Sequence, residues 1–147
     1  MYNKTEQGQA SSKTKLNALC CSADSDGVKA HLAQSPMDVN YEQGNPLILA
    51  IRSVQVYPPP SKEKCVATLK ALVDAGADVH INEESPLYWA MKVDNHAAVE
   101  FLLSVDNKFS IDGTNVEDYV ERNPHLDSKL VDLLEGAKAP TAPSMGY

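Results

Sequence analysis

The chain is 147 residues long, enough for a single domain that buries about two thirds of its unfolded surface without a metal or a crosslink. With 43% hydrophobic and 22% charged residues, it is an ordinary globular sequence, neither collagen-like nor disordered throughout. Thirteen basic against twenty acidic residues leave a net charge of −7, which argues against a nucleic-acid backbone or an anionic membrane as partner and favours a neutral or basic protein surface.

Residues 1–12 are polar and are expected to form a disordered tail. The first twenty residues hold no apolar run that could serve as a signal-peptide core, and no stretch of about 18 apolar residues occurs anywhere, so no membrane span is expected. Three cysteines are an odd number, and in the adjacent pair Cys20 and Cys21 successive side chains diverge, which excludes a disulfide framework. The expected address is therefore cytoplasmic and reducing, in the chain's own cell or in a host's.

Four units follow. The first, 13–41, opens a helix at Thr14-Lys15-Leu16 with Cys20 on the core side, and Val28 and Leu32, four apart, share a face of a second helix. The second unit, 42–81, opens with Asn45-Pro46-Leu47-Ile48-Leu49-Ala50, an N-cap followed by a proline where its missing N–H costs nothing. Its second helix carries Leu69 and Val73 and stops at Gly76, where the chain turns left-handed without strain. Between the two helices lies an insertion, 54–63, whose Pro58-Pro59-Pro60 cannot be helix interior and is expected to protrude at the end opposite the turns. Tyr57 to Pro60 contains no complete PxxP motif, so a rigid spacer is preferred to a ligand for an aromatic groove. The third unit, 82–111, repeats the opening as Ser85-Pro86-Leu87-Tyr88-Trp89-Ala90 and places Val99 and Leu103 on its second helix. The fourth, 112–137, has Thr114-Asn115-Val116, Asn123-Pro124 between its helices, and Leu130 with Leu134. Residues 138–147 hold two prolines and no periodicity and are expected to be a disordered tail.

Pro46, Leu47 and Ala50 recur as Pro86, Leu87 and Ala90, in register with the downstream Gly76-Ala77-Asp78-Val79 segment. On these residues the chain resembles an ankyrin-repeat protein of about four units, the outer two degenerate. The resemblance implies an all-α solenoid of stacked helix-turn-helix units in which no helix has an apolar home of its own. Only four residues separate Asn40 from Asn45, and His80 from Ser85, so the projecting fingers of that family are expected here as short turns.

The resemblance further implies a non-catalytic module, an adaptor, inhibitor or effector, that binds a protein partner through its concave face. In that geometry the partner-facing residues are Arg52, Ser53, Trp89, Lys92 and Val93, with Tyr41, Glu42 and Gln43 and Ile81, Asn82, Glu83 and Glu84 in the turns; Trp89, the sole tryptophan, is either packing between neighbouring inner helices or an aromatic binding anchor. Asp38-Val39-Asn40 preceded by Leu32 is similar to the pattern that an animal asparaginyl hydroxylase accepts in such turns, which makes Asn40 a candidate for hydroxylation. Capped repeats are expected to be monomeric.

The chemical alternative is a thiol-dependent enzyme or redox sensor using Cys21 or Cys65. No pair of histidines falls at zinc-ligand spacing, and no phosphate-binding glycine loop or H-E-x-x-H occurs, so neither a metal nor another cofactor is expected.

Overall fold

Helices of about ten residues are marginal in water, so their stability must come from apolar faces shared with neighbours. A computed structural model describes residues 4–106, 109 and 113–137, with 4–11 described by backbone alone, and all regular structure among them is helical. The elements are α1 (Lys4–Cys21), α2 (Ser25–Gln34), α3 (Tyr41–Arg52), a 3₁₀ turn (Ser53–Gln55), α4 (Lys62–Asp74), α5 (Ile81–Lys92), α6 (His96–Val105), α7 (Gly113–Arg122) and α8 (Ser128–Ala137).

Each odd helix pairs with the even helix after it, and each also touches its counterparts in the flanking pairs: α1, α3, α5 and α7 pack in that order. The even helices pack in the same succession, α2 on α4, α4 on α6 and α6 on α8. One continuous core results, running from Leu16 and Cys20 through Leu47, Ile51, Leu69 and Leu87 to Val99, Val116, Tyr119 and Leu134. Residues matched by the repeat are matched in burial: Leu47 with Leu87 and Ala50 with Ala90 are all excluded from solvent.

The caps differ from the sequence expectation. Side-chain N-caps open the even helices: Asp24 accepts from the Gly27 N–H (2.9 Å), Ser61 from Lys64 (3.2 Å) and Asn95 from Ala98 (3.1 Å). Such caps contribute about 1 kcal/mol each. Asn45, expected to cap α3, instead donates its amide to the Asn17 side chain on α1 (3.2 Å). Ahead of it Glu42, Gln43 and Gly44 all have positive φ, and ahead of Ser85 so do Asn82, Glu83 and Glu84. Each short turn is thus a single left-handed coil, after which the right-handed helix starts at 45 or 85. The cost is about 1–2 kcal/mol for every non-glycine residue held there.

Gly76 closes α4 as expected, at φ +103, with its N–H on the Val73 carbonyl (2.9 Å) and the Ala77 N–H on that of Leu72 (2.9 Å). The insertion leaves α3 through the 3₁₀ turn and exposes Val56 and Tyr57 before Ser61 starts α4. One boundary moves: α1 begins at Lys4, so the tail expected over 1–12 is helical from residue 4. Residues 4–12 are mostly straight-chain or small residues that a helix tolerates, and their polarity, taken as a sign of disorder, does not oppose it. The tail expected at 138–147 lies outside the described residues. No helix among the described residues is long and apolar enough to cross a membrane.

Candidate functional site

The last turn of α3 and that of α5 each present a cation, Arg52 and Lys92, at matching positions of the repeat and on the exposed side. Trp89 lies one turn before Lys92, half-buried, and the Arg52 guanidinium sits over its ring at 4.6 Å, joining the two helices. Tyr88 meets Trp89 edge-on with ring centroids 5.9 Å apart, and the Lys92 ammonium lies 5.9 Å from the Tyr88 ring. A cation over an aromatic face gains about 0.5–1 kcal/mol where exposed, which favours this arrangement of the four side chains without fixing it.

Depressions flank the cluster. On one side Cys21, Leu49, Arg52, Ser53, Gln55 and Val56 surround about 260 Å³; on the other, Tyr88, Met91, Lys92, Asn115, Asp118 and Arg122 surround a similar volume. The Arg122 guanidinium is committed there, to Asp94 (3.1 Å) and Asp118 (3.1 Å), while its Nη2 donates to the Met91 carbonyl (3.3 Å) and stitches α7 to the end of α5. Arg52 donates from Nε to Gln55 (3.3 Å), and neither it nor Lys92 has a carboxylate partner among the described residues. Tyr88, Leu49, Asn115 and Arg122 were absent from the expected set. The spacing of Tyr88 to Lys92, one helical turn, is the signal that could have found Tyr88.

The opposite ends of α3 and α5 divide. Glu42, Gln43, Asn82 and Glu83 are exposed there and Ile81 is partly buried; Val93, which caps the other end of α5 beyond Lys92, is also partly buried. Three expected residues are turned inward. Tyr41 is buried, with its hydroxyl on the Asn17 side-chain oxygen (2.5 Å) and the Lys13 carbonyl (3.2 Å), which ties α3 to α1. Ser53 is 1% exposed because its hydroxyl donates back to the Ala50 carbonyl (2.6 Å). Glu84, expected to face a partner from its turn, is 7% exposed; its carboxylate accepts a hydrogen bond from His80 Nδ1 at 2.6 Å.

His80 also reaches Asp106 through Nε2 (2.9 Å) and lies against the Phe109 ring at 4.5 Å. Burial works against its charge, but the hydrogen bonds and charges of Asp106 and Glu84 outweigh it and hold the imidazole above its ordinary value. In the preceding unit Asn40 occupies the same place. Its amide donates to the Gly76 carbonyl (3.0 Å) and accepts from the Asp78 N–H (2.8 Å), so this hydroxylation candidate bridges to the following unit.

The thiols separate by depth. Burial, with the neighbouring Cys21, pushes the Cys20 thiol up to about 12. Cys65 is fully buried, facing the Ala50 carbonyl (3.5 Å) and the Asn95 amide (3.4 Å), and that amide also donates to the Ile51 carbonyl (2.9 Å). Cys21 is half-buried beside Val56 and Pro58 to Pro60. No group of three or more His, Cys, Asp or Glu placed to hold a metal occurs among the described residues.

Compared with family models, with curated proteins and with solved structures, the chain matches none.

Proposed function

We propose that this chain is an ankyrin-like solenoid of four helix pairs that works as a non-catalytic protein-binding module, its partner docking on the face formed by the odd-numbered helices. The sequential packing of odd helices on odd and even on even, with Pro-Leu-x-x-Ala in register on α3 and α5, supports the architecture. The observation that carries the function is the Arg52–Trp89–Tyr88–Lys92 cluster. Tryptophan, tyrosine and arginine are the side chains that dominate interface energetics, and here they stand together between two depressions, Trp89 resting with one side on the core and Tyr88 and Arg52 exposed beside it.

Thiol chemistry at Cys21 or Cys65 has less behind it. Cys65 packs as a small apolar side chain with weak hydrogen bonds, and a nucleophile needs a base within reach. Exposed, charged Arg52 and Lys92 permit a clean test by charge reversal. Affinity capture with the wild type and with Arg52→Glu/Lys92→Glu should retain a stoichiometric partner on the first alone, with melting temperatures within a few degrees of each other. Equal retention by both would contradict the assignment of the face.

A further inference from the structure

The sign of the docking face is opposite to that of the whole chain. The net charge of −7 points to a basic partner, yet the two exposed charged side chains of the aromatic cluster, Arg52 and Lys92, are cations without a carboxylate partner among the described residues. Asp118, which lines the depression beside Lys92, and Asp94 are both held by Arg122. The exposed acids of the same helices, Glu42 and Glu83, stand at the other end, in the left-handed turns. The face is therefore bipolar, and its aromatic half is the cationic one.

Resting on the docking reading above, we infer that the occupant of this half is an extended acidic peptide segment of a partner protein, with carboxylates over Arg52 and Lys92 and an apolar side chain in the depression beside Cys21 and Leu49. α3 and α5 pack directly against each other, and packed helices lie about 8–10 Å apart. In a polyproline-type extended chain each residue advances about 3.1 Å and every third side chain returns to the same face. Acidic positions three residues apart thus match successive cations. Leu49 and Val56 give the Cys21 depression an apolar lining suited to a leucine or similar side chain next to the first carboxylate. A nucleic-acid strand is disfavoured by the overall negative charge, which repels a continuous phosphate backbone, whereas a short peptide meets only the local field.

Trp89 is the sole tryptophan and touches Arg52, so its emission reports occupancy directly. The probes are a peptide with glutamate at every third position and leucine and serine between, the same peptide with lysine or with glutamine replacing glutamate, and a single-stranded oligonucleotide. The glutamate peptide should change Trp89 emission saturably, more weakly as salt rises. Affinity should fall about tenfold for Arg52→Gln and again for Lys92→Gln, with thermal stability retained. Trp89 answering the lysine or glutamine peptide as tightly would overturn the charge assignment while leaving the face as the docking site. Tighter binding of the oligonucleotide would overturn the peptide in favour of nucleic acid. If no probe moves Trp89, and a partner captured by the wild type leaves its emission unchanged, both the inference and the docking reading fall.

Discussion

The two left-handed turns are built alike and stabilised differently. In the first, 42–44, the residue that hands over to the helix is Gly44, for which a positive φ carries no steric penalty and whose missing Cβ leaves room for Ile81 from the next turn. In the second, 82–84, the same place is taken by Glu84, a residue for which the conformation is unfavourable, and the turn is held by its bond to His80, itself bridged to Asp106. Asn40 and His80 sit at equivalent positions and both reach into the following unit. At the position that hands over to the helix, one turn relies on residue type and the other on a partly buried ion pair. A repeat therefore constrains geometry more tightly than it constrains chemistry.

Substitutions that erase the difference test this contrast. The largest effect is expected at Gly44, where an added Cβ would lie 2.6 Å from Ile81 Cγ2 at a φ of +83. Gly44→Ala should cost about 2–3 kcal/mol in urea unfolding; a loss under about 0.5 kcal/mol would mean that the turn relaxes freely. His80→Ala deprives buried Glu84 of its imidazole partner and should cost about 2 kcal/mol, less than a fully buried pair because His80 is partly exposed. Converting the second turn into a copy of the first, His80→Asn/Glu84→Gly, should recover more than half of that loss, a non-additivity that a double-mutant cycle measures. Full additivity would show that the two turns are not alternatives.

A smaller effect concerns pH. With the imidazole raised above its unfolded value of about 6.5, the stability it contributes is present below that value and disappears as pH rises through the folded-state value. Glu84 and Asp106 are the charges that face it, with Phe109 against the ring. The difference in unfolding free energy between the wild type and His80→Gln should shrink as pH is raised from about 6.5, and a constant difference would remove the ion pair from the account. The smallest is Gly76→Ala, where the added Cβ meets nothing within 4 Å and only the positive φ is penalised, about 1 kcal/mol.

The same contrast explains what was legible in the sequence. Gly76, Pro46 and Pro86 announce their conformations by residue type, and the Pro-Leu-x-x-Ala register gave the helix pairs and their order. Glu42, Gln43, Asn82 and Glu83 in left-handed coils carry no such mark, because four residues between Asn40 and Asn45 limit the turn's length but not its hand. Glu84 turns inward onto His80, which is itself bridged to Asp106 in the following unit, a contact that no local pattern reports. Ser53 and Tyr41 were assigned outward by position along the repeat and turn inward through bonds to Ala50 and Asn17. The aromatic–cation cluster was half visible: Arg52, Trp89 and Lys92 follow from the repeat, whereas the stacking of Arg52 on Trp89 joins two helices and appears only when they are packed.

Hydrogen exchange on the complex with a captured partner tests the central claim most directly. The account predicts slowed exchange around residues 49–56 and 88–93, at the cationic ends of α3 and α5, with α4 and α6 unchanged. Protection confined to the even-numbered helices, with 49–56 and 88–93 exchanging as in the free chain, would contradict it.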